Sequence, residues 1–177
     1  MENNKRDDAQ RFVSTVLSRC REDKAFAAKL RRADNPDTED QAWGVLTGLG
    51  VNIEKDAVYL PHALVGAALA RLKTDADGTL ELGAAVRACF EDGEQGEPRL
   101  RRILACDTLN EVVGVLRPLL HLIGTRKVSL AYGGLLQDLL QFTWRRQRIL
   151  RHWASVYYMP RKNVETASGD AVAQQES

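Results

Sequence analysis

Every strong apolar pattern in this chain has helical spacing, and no run alternates apolar with polar residues as a half-buried strand does. The fold class that follows is all-α. Near the N-terminus, Ala9, Phe12, Val13, Val16, Leu17 and Cys20 recur at three- and four-residue intervals along one face. A short second helix is predicted over 23–30 and a turn over 33–37. A third helix starts at Thr38, whose spacing to Gln41 has the form of a capping box, and carries Trp43, Leu46 and Leu49 before Gly50. The spacing predicts that Trp43 packs in the core. Pro61 suits the first turn of a helix running to about residue 72, after which Asp75, Asp77 and Gly78 mark a loop and another helix covers 82–90.

Residues 91–97, with Gly93 and Gly96 among four carboxylates, read as a boundary or exposed connection. The division that results is an N-terminal helical bundle over 1–92, a C-terminal bundle over 93–160 and a tail over 161–177. Pro98 favours a helix start, and Leu100, Ile103 and Leu104 mark its buried side. Thr108 and Glu111 form a second capping box, opening a helix with Val112, Val115, Leu116, Leu119, Leu120 and Ile123 on its apolar side and an end at Gly124. Pro118 inside that run removes a backbone donor and predicts a kink or break. Ser129 is placed to cap the next helix, and a separate last helix is predicted over 143–158. There Ile149, Trp153 and Val156 share one arc while Arg148 and Arg151 fall opposite. The tail beyond Pro160 has almost nothing to bury and is expected to be disordered.

Charge is unevenly sorted along these helices. Between Arg99 and Lys162 twelve Lys and Arg face only Asp107, Glu111 and Asp138, whereas the rest of the chain holds 13 basic and 21 acidic residues. The net charge of +1 therefore hides a strongly basic second half, the pattern of a surface that meets a polyanion. Arginine suits phosphate because its planar fork gives paired, charge-assisted hydrogen bonds and stays protonated. A solvated helix face explains most charge runs, but here the neutralising carboxylates are nearly absent. The candidate binding residues are Arg99, Arg102, Arg117, Arg126, Lys127, Arg145, Arg146, Arg148 and Arg151, with a smaller cluster at Lys29, Arg31 and Arg32. Arg146 falls toward the apolar arc, so its stem is expected to pack inward. Trp144 shares the arc of Arg148 and is the one aromatic kept as a surface contact.

The remaining chemistry points away from catalysis. His62, His121 and His152 lie far apart, no Gly-rich phosphate loop precedes a helix, and the acidic loops lack the EF-hand ligand order. No metal, cofactor or catalytic residue is assigned. Cys20, Cys89 and Cys106 are odd in number and set among apolar residues, which reads as buried thiols in a reducing compartment. No apolar run approaches the eighteen or so residues needed to cross a bilayer, and residues 1–10 lack a secretion signal, so a cytoplasmic protein without membrane contact is expected.

The order LELGAAVRACF, EPRLRRILACDTLNEVVGVLRPLLHLI and VSLAYGGLLQDLLQFTWRRQRILRHWASVYY, with the earlier KLRRADNP and downstream Trp43, resembles the small subunit of type I-E CRISPR Cascade. The resemblance implies a non-catalytic protein of two small helical bundles, present as a pair in an RNA-guided complex with other Cascade subunits. Its basic surfaces would hold guide RNA and target DNA and steady the displaced strand of the R-loop, while guide pairing selects the sequence. Arg99, Arg102, Arg117, Arg145, Arg146, Arg148, Lys29, Arg31 and Arg32 match basic stretches of the family. Pro118 stands where a second arginine is common, which moves attention to Arg126 and Lys127. The competing class is a protein-interaction adaptor with a basic face; a helix-turn-helix regulator is disfavoured because no compact helix pair presents a base-reading face.

Overall fold

Residues 2–90 and 95–159 are described by a computed structural model, in which eight helices carry the fold. They are α1 (Glu2–Glu22), α2 (Lys24–Leu30), α3 (Asp40–Gly48), α4 (Asp56–Arg71), α5 (Leu82–Cys89), α6 (Gly96–Leu104), α7 (Leu109–Thr125) and α8 (Tyr132–Tyr158). The all-α class is thus the one observed. The β-type pairing found among the described residues is a single parallel bridge between Leu80 and Leu130, where two interhelical loops run side by side. The expected tail over 161–177, and Glu91 to Glu94 of the acidic connection, lie outside the described residues.

The 27-residue α8 lies against α1, α4 and α5, and α4 also packs on α1 and α7. Buried residues from 1–92 and from 93–160 belong to one cluster, with Trp153, Phe142, Leu64, Leu69, Leu116 and Ile123 among its largest fully buried members. α5 packs on α6, α7 and α8. Its approach to α8 is close enough that a Cβ on Gly83 would run into the Trp153 carbonyl, which explains a glycine at this helical position.

Local signals explain some helix ends. Asp23 caps α2 by accepting the Ala25 and Phe26 amides at 2.8 and 2.9 Å, and the Thr108–Glu111 capping box of α7 forms in both directions. Other expectations are corrected. The Thr38–Gln41 pair does not cap α3: Thr38 donates instead to the Arg32 carbonyl, and the Gln41 amide oxygen is taken by Arg32. Trp43 is 43% exposed, because α3 buries Ala42 and Leu46, four residues apart, and Trp43 sits one step of rotation beyond them. Pro61 is not in the first turn; α4 starts at Asp56, and Pro61 is buried within it.

α7 runs through Pro118 without a break. The non-helical backbone lies instead inside α8, at Arg145 (φ −123, ψ 16), so the two expected helices join as one element with a kink at the junction. Ser129 does not cap it. The Asp77 carboxylate does, accepting the Tyr132 and Gly133 amides at 2.7 and 2.9 Å from a loop more than fifty residues earlier. At the other end Arg87 donates to the Tyr157 carbonyl at 2.9 Å and to the Met159 carbonyl. Both ends of α8 are thus tied by charged side chains, one to the α4–α5 loop and the other to α5.

Candidate nucleic-acid interface

The basic residues divide by what their side chains touch. Arg31 donates to the Ala70 carbonyl at 2.8 Å, closing the end of α4. Arg126 donates to the Cys89 carbonyl at the end of α5 and lies over the Phe90 ring, 4.9 Å from its centroid. Arg146 reaches the Cys106 carbonyl at 2.8 Å and Asp107 at 2.5 Å, so its stem packs inward as its position on the arc predicted. These three guanidinium groups are held by the fold. Arg117 is half-buried, and its Nε has no hydrogen-bond partner among the described residues.

Arg102, Arg148 and Arg151 are different. All three are exposed, and none uses its side chain in an ion pair or hydrogen bond with a described residue. Lys29 and Lys127 are exposed as well, Lys127 in the left-handed region at φ 55 on the α7–α8 turn. Arg145 is half-buried at the kink of α8, beside Trp144, which is 60% exposed.

Folding gathers part of the basic side chains in two regions, neither of which includes Arg148 or Arg151 of α8. Arg99 and Arg126, from α6 and the end of α7, flank the Phe90 ring at 4.4 and 4.9 Å. From there the basic surface continues through Arg102 to Arg146 around the turn after α6. Burial pushes the Cys106 thiol above its usual range, Glu111 adds to the rise, and Arg146 and Arg102 pull against it. The second region sets Arg31 and Lys127, both candidates from the sequence, among basic residues that the charge pattern does not single out. Lys24, Arg31 and Lys73 line a 490 Å³ groove beside α1 together with the Arg21–Asp75 ion pair of 3.7 Å, and Arg71, Lys73 and Lys127 line one of 600 Å³ with Thr74, Thr125 and Ser129. Arg71 and Lys73 are single basic residues within the acidic half, and only folding sets them beside Lys127.

Between α6 and α7 lies a third open groove of 640 Å³. Arg99 and Arg102 stand on its lining, with Val115, Pro118, Leu119 and Leu122. Its one carboxylate, Glu111, is engaged with the Asp107 and Thr108 amides at 2.7 and 3.3 Å. Among the described residues no group of three or more His, Cys, Asp or Glu could hold a metal, and no helix is long and apolar enough to cross a membrane.

Fold and surface together define a helical protein whose distinguishing feature is exposed arginine, open at the guanidinium, on elements that also build the core. The chain belongs to the CRISPR-associated protein Cse2 family, whose model matches residues 26–158. Its fold is similar to the crystal structure of a Cse2-family CRISPR-associated protein from Thermus thermophilus, with a TM-score of 0.70 at 22% identity over 85% of this chain and 97% of that one. No curated protein matches the chain at a significant level.

Proposed function

We propose that this chain is a non-catalytic small subunit of an RNA-guided CRISPR surveillance complex, binding guide RNA, target DNA and the displaced strand of the R-loop through their backbones. The observation that carries this reading is the set Arg102, Arg148 and Arg151, exposed and with no side-chain hydrogen bond or ion pair among the described residues, on a chain of the Cse2 family. Guanidinium groups left open in this way are available to phosphate, and contacts of this kind position a strand without reading its bases. Other Cascade subunits and a second copy of the chain are the protein partners in this reading, and the setting is cytoplasmic. Strand exchange under a guide is nearly balanced in free energy, so modest backbone contacts shift it.

Binding of the purified chain to single-stranded and duplex nucleic acid across a salt series tests the proposal. Affinity is expected to fall steeply with salt and to vary little with sequence; each phosphate of a single strand that a variant no longer neutralises lowers the log–log slope by roughly 0.7. Reversing Arg148 and Arg151 to Glu should weaken binding and flatten that slope while leaving helix content unchanged. Trp153→Ala, by contrast, removes a side chain 1% exposed and should cost about 3–5 kcal/mol of stability. Unchanged binding by the double Glu variant would move the interface to Arg99 and Arg102. A variant that binds strands normally but no longer assembles supports the adaptor reading, which the exposed Trp144 and Tyr158 favour as protein-contact side chains.

A further inference from the structure

The groove between α6 and α7 has features that backbone contacts alone do not use. Its volume of 640 Å³ falls within the range of about 300–1,000 Å³ common for small-molecule sites, and its lining is mostly apolar with a few polar groups at the edge. Pro118 is exposed on that lining. Having no N–H, it makes no bond to the Gly114 carbonyl one turn earlier, and its ring takes the place of that donor, so the floor of the groove is apolar there. Positive charge at the edge comes from Arg99 and Arg102, while the carboxylate of Glu111 is already occupied by two amides.

We infer that this groove takes one unstacked base of a single strand: Arg102, with Arg99, holds the flanking phosphates, and the base lies over Pro118 between Val115 and Leu122. Charge complementarity selects the occupant. An acidic protein segment would satisfy the arginines only where it also places an aromatic side chain on the floor, whereas every nucleotide carries phosphate and a planar base together at a fixed spacing. The inference rests on the strand-binding reading above and adds that this region holds a base as well as a backbone.

Gly114 supplies the test, because a Cβ built there meets nothing within 4 Å. Gly114→Leu therefore starts into open space and extends into the groove, and unchanged circular dichroism with melting no lower than that of the natural protein would verify the fold. The probes are a single-stranded oligonucleotide, the same strand with abasic sites, and a strand carrying 2-aminopurine, each titrated against the full chain at low salt. The intact strand should bind the natural protein several-fold more tightly than the abasic one. Gly114→Leu should abolish that difference by weakening only the intact strand, Gly114→Ala should do so partly, and Arg102→Glu should weaken both. The 2-aminopurine emission should rise on binding and lose that rise in Gly114→Leu. Equal binding of intact and abasic strands, or binding by Gly114→Leu like that of the natural protein, overturns the inference while leaving strand binding standing; a groove reserved for a protein side chain gives this result. Absence of binding to any strand at low salt removes the strand-binding reading, and the inference with it.

Discussion

Asp34 is 6% exposed and carries a carboxylate into the protein, where Arg71 meets it with two hydrogen bonds of 2.8 Å while donating to the Arg31 carbonyl at 2.9 Å. A paired charge of this kind is tolerated; an orphaned one is costly. Arg71→Ala should destabilise by roughly 3 kcal/mol, the lower end for a broken buried pair because a third of the Arg71 side chain is exposed. The double variant Asp34→Leu, Arg71→Leu should lose less, which denaturant melts would show. His62 carries a pH signal. Burial holds its pKa below the ordinary 6.5, its contact with the Val58 carbonyl opposes this, and its ring meets Phe12 edge-on at 4.7 Å. A lowered histidine pKa means that the unfolded chain takes up the proton first, so this contribution is complete above pH 6.5 and is lost as pH falls through 6.5 toward the folded value. Asp138 acts in the opposite sense: burial raises its pKa above 3.8 despite the Trp153 hydrogen bond of 2.7 Å, so its contribution is complete below 3.8 and declines as pH rises through the folded value. His62→Gln should therefore flatten the loss of stability just below pH 6.5, and a pH series of melting temperatures that keeps its slope in this variant would assign the loss elsewhere.

At the scale of elements, the cap of α8 illustrates what folding adds to local signals. The Asp77 carboxylate receives the Tyr132 and Gly133 amides, and its own loop is held by the Gly78 amide bonding the Leu130 carbonyl at 3.1 Å. Asp77→Ala should cost about 1–2 kcal/mol, as for loss of a strong cap, with melting temperature the readout. That cap could not be read from residues 129–132, because its acceptor lies on another loop, whereas the Thr108–Glu111 box could, because both partners lie within four residues. The same division runs through the candidate site. Arg148 and Arg151 were legible as exposed because helical rotation sets them opposite Ile149 and Trp153, both buried. Arg31 and Arg126 were not legible as structural, because the Ala70 and Cys89 carbonyls they bond belong to distant helix ends. Trp43 misled because a nine-residue helix with one narrow buried stripe leaves its neighbours outside. Pro118 misled in another way: tertiary packing of Leu116, Leu119 and Leu120, all buried, keeps α7 continuous across the missing bond. Pro118→Ala should consequently raise stability by up to the ~3 kcal/mol that proline costs inside a helix, read as a higher melting temperature, while removing an apolar ring from the floor of the α6–α7 groove.

For the whole molecule, charge and packing divide the chain differently. The change from acidic to basic falls near residue 98, but α5, on the acidic side of it, packs on α6, α7 and α8. α8 in turn covers α1 and α4, and the buried residues of both halves form one cluster. The two-bundle division at residue 92 thus makes a definite claim about folding, and packing argues against independent units. A fragment of residues 1–92 would leave Leu82, Ala85, Val86 and Cys89, all buried in the full chain, without the helices that cover them. Uncovering a large apolar side chain costs about 1.5–3 kcal/mol, and α1 and α4 would be stripped of α8 as well, so the loss is comparable with the ~5–15 kcal/mol that stabilises a whole domain. The full chain should therefore unfold in a single transition, with tryptophan fluorescence, whose change on unfolding comes chiefly from the buried Trp153, and far-ultraviolet circular dichroism, reporting all helices, at the same midpoint. The 1–92 fragment should show reduced helicity, bind a hydrophobic dye and melt without a sharp transition. A cooperative melt of that fragment, or two separated midpoints in the full chain, would establish the two bundles as separate folding units. The basic half could then reorient on a nucleic-acid strand without disturbing the rest, whereas a single unit requires both halves to dock together as one rigid surface.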